Sequence, residues 1–383
     1  MAGHVSQIPH QGDYFLLDMA GESIIVIRSQ EGAVQAFYNV CRHRGSRILS
    51  KNCGNAKSLR CPYHGWNYAC DGSLQNAPRM PADFDPALFP LKSCPSRVIE
   101  GLIFICLSTG DAPELDEITE GLAPFLQLHG IGDAEIVQRE VFSLDANWKL
   151  AVENYLECYH CKPAHKEYSR IEIKAEKMGD GSPAAMQAWN TRETEWRELA
   201  TRLGTLLDDF TSQTALQDLV QTQCGAAYRA PLRATYQTAS EDGKPVAPLM
   251  GSFTEYDGGE TALAIGPFTY SLAYNDYATF LQFVPLDAGH CDIIISWLVR
   301  PGAEAAPEYD LNRLTWLWML TTHQDKTIIE DNAKGICSNA YEPGPVSLLE
   351  GDVAGFRQWY LAIIGSGKQN NDNNSTGRRR YFG

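Results

Sequence analysis

Cys41-Arg42-His43-Arg44-Gly45 and Cys61-Pro62-Tyr63-His64-Gly65-Trp66 decide how the first part of this chain folds. Each stretch carries one thiolate and one imidazole on a short loop, and the run from Arg44 to Arg60 separates the two. Two such loops can grip a pair of bridged irons, with Cys41 and Cys61 on one metal and His43 and His64 on the other. Neutral imidazoles in place of thiolates raise the reduction potential of such a 2Fe-2S cluster. Gly45 and Gly65 let the backbone turn tightly around it, and Pro62 stiffens the second loop. The same four side chains could hold one structural zinc ion in a tetrahedron. Against that reading, the Cys-x-His arm is shorter than the paired arms of a zinc finger. Cys53, Cys70, Cys94 and Cys106 lie near by without histidine neighbours and read as small buried hydrophobes.

Outward from these loops, SIIVIRSQEGAVQAFYNV from Ser23 to Val40 reads as two β-runs around a Gln30-Glu31-Gly32 turn, and VIEGLIFICL from Val98 to Leu107 repeats the style. Residues 1–115 therefore form a small all-β domain, closed by the turn-rich segment GDAPELDE. Residues 116–365 mix α and β. Helical periodicity runs around 192–220 and 309–335, and β-rich runs occupy 250–300. Leu311, Leu314 and Trp318 recur at helical spacing and read as core. Positions 366–383 are polar and low in complexity, and are expected to form a flexible tail.

The bulk of the chain is that of a globular enzyme. Its 383 residues are 44% hydrophobic and 21% charged, with a net charge of −15 that repels nucleic acid rather than steering it in. The first residues hold no basic stretch followed by an apolar run, and no apolar segment reaches the roughly 20 residues of a membrane span, so the expected location is cytoplasmic. Eleven cysteines, an odd number, fit reduced thiols and metal ligands better than a disulfide framework.

A second constellation follows Asn147-Trp148-Lys149: Glu157, His160 and His165. On one helix Glu157 and His160 would share a face. His165 would lie about 140° away from it, so the helix must distort or end between the histidines, where Pro163 stands. Two histidines with one carboxylate form the facial triad of Fe(II) oxygenases, which leaves open positions for O₂ and substrate. Asp325 in His323-Gln324-Asp325-Lys326 is the expected third ligand, with Asp331 the next choice. Glu157 is free for another task, accepting the spare N–H of an imidazole ligand and linking histidines of two metal sites. No GxGxxG loop or other nucleotide fingerprint occurs, so electrons must come from a separate reductase.

CRHRGSRI, CPYHGW, NWK…ENYLECYHCKPAH and QDKTIIEDNAKGI…AYEPGP resemble the α subunits of Rieske oxygenases that hydroxylate rings or demethylate amines. The resemblance covers nearly the whole chain and is loosest around 166–250. It implies an α+β chain, with an N-terminal all-β Rieske domain followed by a helix-grip-like catalytic domain built on an antiparallel sheet. It further implies trimeric rings, with or without a β subunit, in which the cluster of one subunit feeds the iron of its neighbour. By the same resemblance Cys41, His43, Cys61 and His64 hold the cluster, and His160, His165 and Asp325 hold the mononuclear Fe(II). Glu157 would bridge His160 to His64 of the adjacent subunit. Electrons would originate from NAD(P)H through a flavin and iron–sulfur reductase.

The C-terminal stretch is nearest to the betaine and carnitine group. It departs from that pattern at Ala333-Lys334-Gly335, where Gln-Arg is expected before the glycine, and at Gly65, where some betaine enzymes carry glutamine. The expected activity is therefore that of a terminal oxygenase, hydroxylating or oxidatively demethylating a small quaternary ammonium compound. Aromatic faces bind such cations, and Trp189, Tyr228, Tyr236, Tyr270 and Trp297 are candidates for the cage. The alternatives are hydroxylation of an aromatic ring and, in a different class, an electron carrier without a catalytic iron.

Overall fold

Ile24, Ile25, Val26 and Ile27 are all buried, although neighbours in a strand point to opposite faces. A sheet made of such residues must be covered on both sides, and this need governs both halves of the molecule. The computed structural model describes residues 1–108, 112–212 and 225–371.

In the first half the chain forms β1 (Gly3–His4), β2 (Asp13–Met19), β3 (Glu22–Arg28), β4 (Val34–Tyr38), β5 (Cys53–Asn55), β6 (Leu59–Arg60), β7 (Asn67–Tyr68), β8 (Leu74–Asn76), β9 (Ser96–Ile99) and β10 (Leu102–Ile105). These pair as three small sheets, ordered β4-β3-β2-β5, β6-β7-β8 and β1-β10-β9. From β3, Ile25 and Ile27 point toward Cys41, Cys61 and Trp66, while Ile24 and Val26 pack against Phe15, Leu17 and Ile103. Both hairpins read from the sequence are present, β3–β4 and β9–β10.

The second half opens with α1 (Asp116–Leu128) and β11 (Glu135–Leu144). Next come α2 (Trp148–Leu156), α3 (Cys161–Ala164), α4 (Lys166–Ile171), α5 (Ile173–Asp180) and α6 (Pro183–Leu203). The strands β12 (Phe210–Thr211), β13 (Gly225–Pro231), β14 (Gly259–Ile265), β15 (Thr269–Ala273), β16 (Ala278–Pro285) and β17 (Cys291–Val299) follow, then α7 (Leu311–Ile336) and α8 (Gly351–Asn371). One seven-stranded antiparallel sheet, β11-β17-β16-β15-β14-β13-β12, collects the strands. Leu281 and Phe283 of β16 face a core shared with α2 and α7, whereas Ala278 and Phe280 face α1 and the β9–β10 hairpin. The chain is thus α+β, with an all-β first part and a helix-backed antiparallel sheet in the second.

The two halves share apolar surface. Ile99, Leu102 and Phe104 of the hairpin lie in one cluster with Ile118, Leu122 and Phe125 of α1. The boundary expected near residue 115 immediately precedes α1 in the chain.

Two expectations shift. The helical stretch read over 192–220 stops at Leu203, where Gly204 takes a left-handed conformation and its N–H closes back onto Ala200 and Thr201. Residues 213–224 lie outside the described residues. The polar tail expected from 366 begins inside α8, which continues to Asn371, while 372–383 lie outside the described residues. Among the described residues no helix is long and apolar enough to cross a membrane.

Candidate metal centres

The two Cys/His loops are near copies of each other. In the first, the Gly45 N–H reaches the Cys41 carbonyl at 3.0 Å and the Cys41 N–H reaches the Ser46 carbonyl at 2.9 Å. In the second, Gly65 to Cys61 is 3.1 Å and Cys61 to Trp66 is 2.8 Å. Both glycines have positive φ, 77° and 72°, a backbone conformation that an L side chain rarely adopts. Cys41 and Cys61 are buried, whereas His43 and His64 are exposed. The His43 and His64 Nδ1 atoms lie 3.1 Å apart, and the His43 ring stacks on Trp66 at 5.0 Å. Tyr68 braces this arrangement: the Arg42 N–H donates to its hydroxyl at 3.0 Å, and the hydroxyl lies 3.4 Å from Cys41 Sγ.

These residues fit a two-iron cluster better than a zinc ion. Zinc bonds of about 2.0–2.3 Å would hold all four donors within about 4 Å of one another. Among the described residues the only such cluster of three or more donors, all within 4.8 Å of one another, is His160, His165 and Asp325. Cys41, Cys61, His43 and His64 instead make a buried sulfur pair and an exposed nitrogen pair. Burial pushes the Cys41 thiol up, and Cys61 beside it adds to the push against hydrogen bonds involving Tyr68 and the His43 backbone. A bound cation is what offsets two thiolates so close together.

The second site begins where α2 ends. Asn147 caps that helix by accepting from the Lys149 N–H at 3.1 Å. The helix stops at Leu156, and Glu157 is extended, with φ −127° and ψ 156°. Glu157 and His160 therefore do not share a helical face as expected. His160 precedes α3, and His165 (φ −120°, ψ 75°) forms the joint between α3 and α4. Pro163 breaks nothing, because in the first turn of α3 its missing N–H would have had no helical partner. Cys158 and Cys161 are joined by a disulfide across the turn, which corrects the expectation of reduced thiols. The Cys-x-x-Cys spacing was the signal that could have revealed it.

On α7, Leu314, Trp318, Thr321 and Asp325 occupy one face, so the stripe read as core runs on into a carboxylate. Asp325 Oδ1 lies 2.9 Å from His165 Nε2 and 3.4 Å from His160 Nε2. Donors bound cis to one ion at about 2.1 Å are about 3 Å apart, so the three side chains suit an iron. On the far side of each ring an acceptor fixes the tautomer: Glu157 Oε1 lies 2.5 Å from His160 Nδ1, and Gln324 Oε1 lies 2.7 Å from His165 Nδ1. Glu157 Oε2 is itself held by the N–H groups of Tyr159 and, at 3.1 Å, His160. Burial disfavours a charged His160, but Asp325 and Glu157 outweigh it and raise its pKa to about 9. Burial likewise opposes ionisation of Asp325, and the hydrogen bonds and charges of the two histidines more than compensate, holding its carboxyl below the usual range. Asp331 points away and pairs with Lys334 at 3.0 Å.

The triad opens onto a cavity of about 260 Å³. Tyr228 and Tyr270 line it, as do three aromatics that sequence reasoning did not single out for the cage: Tyr155, Tyr168 and Trp318. The Tyr155 and Tyr270 rings lie 4.5 Å apart, and Tyr168 meets Trp318 edge-on at 6.0 Å. The other three cage candidates lie elsewhere. Trp297 is buried in the main core with Tyr236 against it, and Trp189 packs with Ile173 and Ala230 under the Lys177 ammonium. Gln324 and Lys174 are the other site residues not anticipated. Lys174 lines the cavity and is ion-paired with Glu260.

Comparison with known proteins matches residues 1–95 to the Rieske 2Fe-2S domain, and residues 131–366 to the catalytic domain of the ring hydroxylating alpha subunit. The glycine betaine monooxygenase oxygenase subunit of Pseudomonas aeruginosa is 32% identical over 371 residues, spanning 94% of this chain and 82% of that protein. A quaternary ammonium Rieske monooxygenase, solved for insight into carnitine oxidation, has a TM-score of 0.66 at 21% identity, covering 94% of this chain and 87% of that one. Naphthalene 1,2-dioxygenase from Rhodococcus sp. also gives 0.66, at 17% identity, over 95% and 89% of the two chains. At such identities the two solved structures bear on the fold alone.

Proposed function

The chain belongs to the ring-hydroxylating α-subunit family of Rieske oxygenases, and on that premise we propose that it demethylates a small quaternary ammonium compound, with a named role for each residue of its two metal sites. As a member of that family it is the terminal oxygenase of a multicomponent system, an oxidoreductase with a Rieske cluster and a mononuclear iron. Cys41, Cys61, His43 and His64 hold the cluster, and His160, His165 and Asp325 hold the iron. When bound, the two groups supply electron storage and O₂ activation, which no side chain provides.

The protein's own part is orientation and exclusion. Glu157 and Gln324 accept the Nδ1–H of His160 and His165, which leaves each Nε2 lone pair aimed at the point that Asp325 also faces. The exposed His64 and the Glu157–His160 pair form the two ends of an electron path between neighbouring subunits of a trimer. A separate NAD(P)H-dependent reductase charges the cluster, and the assembly works in the cytoplasm. Tyr155, Tyr168, Tyr270 and Trp318 keep water from the reacting carbon and present ring faces to a cation. An N-methyl carbon hydroxylated in this cavity leaves as formaldehyde, with the C–N electron pair staying on nitrogen.

The observation that carries the reading is the convergence of His160, His165 and Asp325 on one point in a small cavity walled by aromatic rings. The test is O₂ uptake and formaldehyde release, with a surrogate reductase, across glycine betaine, carnitine, choline and a set of aromatic acids. Formaldehyde from the ammonium compounds is expected. Turnover confined to aromatic acids would replace demethylation by ring hydroxylation.

A further inference from the structure

Lys174 sits in the first turn of α5 with 8% of its side chain exposed, and among the described residues it is the only lysine or arginine that lines the iron cavity. Its partner Glu260 on β14 is fully buried. An ammonium has three donors, and among the described residues no second acceptor is paired with this one. The hydroxyls of Tyr168 and Tyr228, which line the same cavity and feel the charge of Lys174, make no hydrogen bond among the described residues. Three donor groups thus meet on one side of a cavity that Glu157, Asp325 and Asp352 also line, and Glu260 is the carboxylate paired with the ammonium. Burial, and then Glu260, push the Glu172 carboxyl well above the usual carboxylate range, against the pull of Lys174. Tyr155 lines the same cavity and feels the charges of both Lys174 and Asp325.

We propose that Lys174, with the Tyr168 and Tyr228 hydroxyls, binds the carboxylate of the substrate and so makes the enzyme select zwitterionic betaines over ammonium alcohols. The inference rests on the demethylase reading. Aromatic faces near the iron take the cationic head, and the donor corner takes the anionic tail, so the N-methyl group is delivered to the triad by a molecule held at both ends. Without an anion in it, this corner leaves the Lys174 ammonium with Glu260 as its one charged partner among the described residues, and a neutral alcohol in the same place offers no second charge to match it.

The experiment uses the iron- and cluster-loaded enzyme, with Lys174→Met and the double variant Lys174→Met/Glu260→Gln. The double variant removes both charges, so that Glu260 is not left buried and unpaired. Calorimetric Kd and formaldehyde-based KM are measured for glycine betaine and for choline. Both variants are expected to lose about 10–100-fold in the betaine-to-choline affinity ratio, the loss appearing in Kd and KM rather than in kcat. An unchanged ratio in the double variant would overturn the anchor while leaving demethylation by the wild type in place. A wild type that releases no formaldehyde from either compound overturns the demethylase reading, and the anchor with it, before any variant is compared.

Discussion

The two metal sites are built in opposite ways. Each cluster loop is complete within six residues, and its geometry repeats from Cys41–Ser46 to Cys61–Trp66. The iron site has no such local unit: His165 meets Asp325 and Gln324 across about 160 positions of chain, and its cavity draws walls from α2, α3, α4, α5, α7, α8 and three strands. A site made of loops stands or falls with its own few residues. A site assembled across a fold can be altered in steps, because the side chains that bind the metal, orient its ligands and shape its cavity are separate.

That contrast predicts a graded series. The largest effect falls on the proposed metal ligands themselves. Asp325→Ala should abolish turnover and empty the iron site while the visible spectrum of the cluster persists, and Cys61→Ala should bleach the cluster while iron stays in the triad. Metal analysis of the two variants would break the comparison if either change emptied both sites.

Glu157→Gln comes next. It should keep both metals but slow cluster-to-iron electron transfer by about 10–100-fold, since the amide still bonds to His160 Nδ1 but brings no charge to the bridge. Single-turnover reduction by pre-reduced protein reads this directly, and a rate equal to wild type would remove Glu157 from the path. Gln324→Ala should be milder, with about 10-fold weaker iron binding and an intact cluster, because His165 loses only the acceptor that fixes its tautomer.

The last expected effect is a pH dependence, small over any one pH unit. In metal-free protein His160 is raised from 6.5 to about 9, so at neutral pH iron must displace a proton from it. Iron affinity should therefore climb by up to about tenfold per pH unit and level off above about 9. The sign for stability is the reverse. A raised folded pKa stabilises the metal-free protein fully below 6.5, and that contribution is lost as pH rises through about 9. Thermal melts of apoprotein between these limits should fall with pH by more in wild type than in Asp325→Asn.

The same contrast explains what could be read from the sequence. The cluster loops were legible because ligand type, spacing and glycines all lie in one short stretch. Asp325 was legible as a carboxylate in the periodic segment His323–Lys326, chosen as third ligand with the help of the resemblance; that it continues the Leu314–Trp318 face emerged only in the structure. The backbone from Glu157 to His160 was not, although the pairing of the two side chains was, because the helix ends at Leu156 ahead of a Tyr159–His160 turn that no periodic signal marks. Among the cage candidates, Tyr228 and Tyr270 reach the cavity while Trp189, Tyr236 and Trp297 do not. For Tyr270 and Trp297 the reason is physical: β15 and β17 are buried along nearly their whole length, so alternation of polar and apolar residues, which would tell the cavity side from the other, is missing. Lys174 and Glu260 meet only in the folded chain, and neither carries a local motif.

Quantifying iron, acid-labile sulfide and zinc in the purified protein tests the account most directly. A bridged pair of irons plus one mononuclear iron gives iron to sulfide in a ratio of about three to two, with no zinc. Equal amounts of iron and sulfide would leave only an electron carrier, and zinc without sulfide would contradict both metal sites at once.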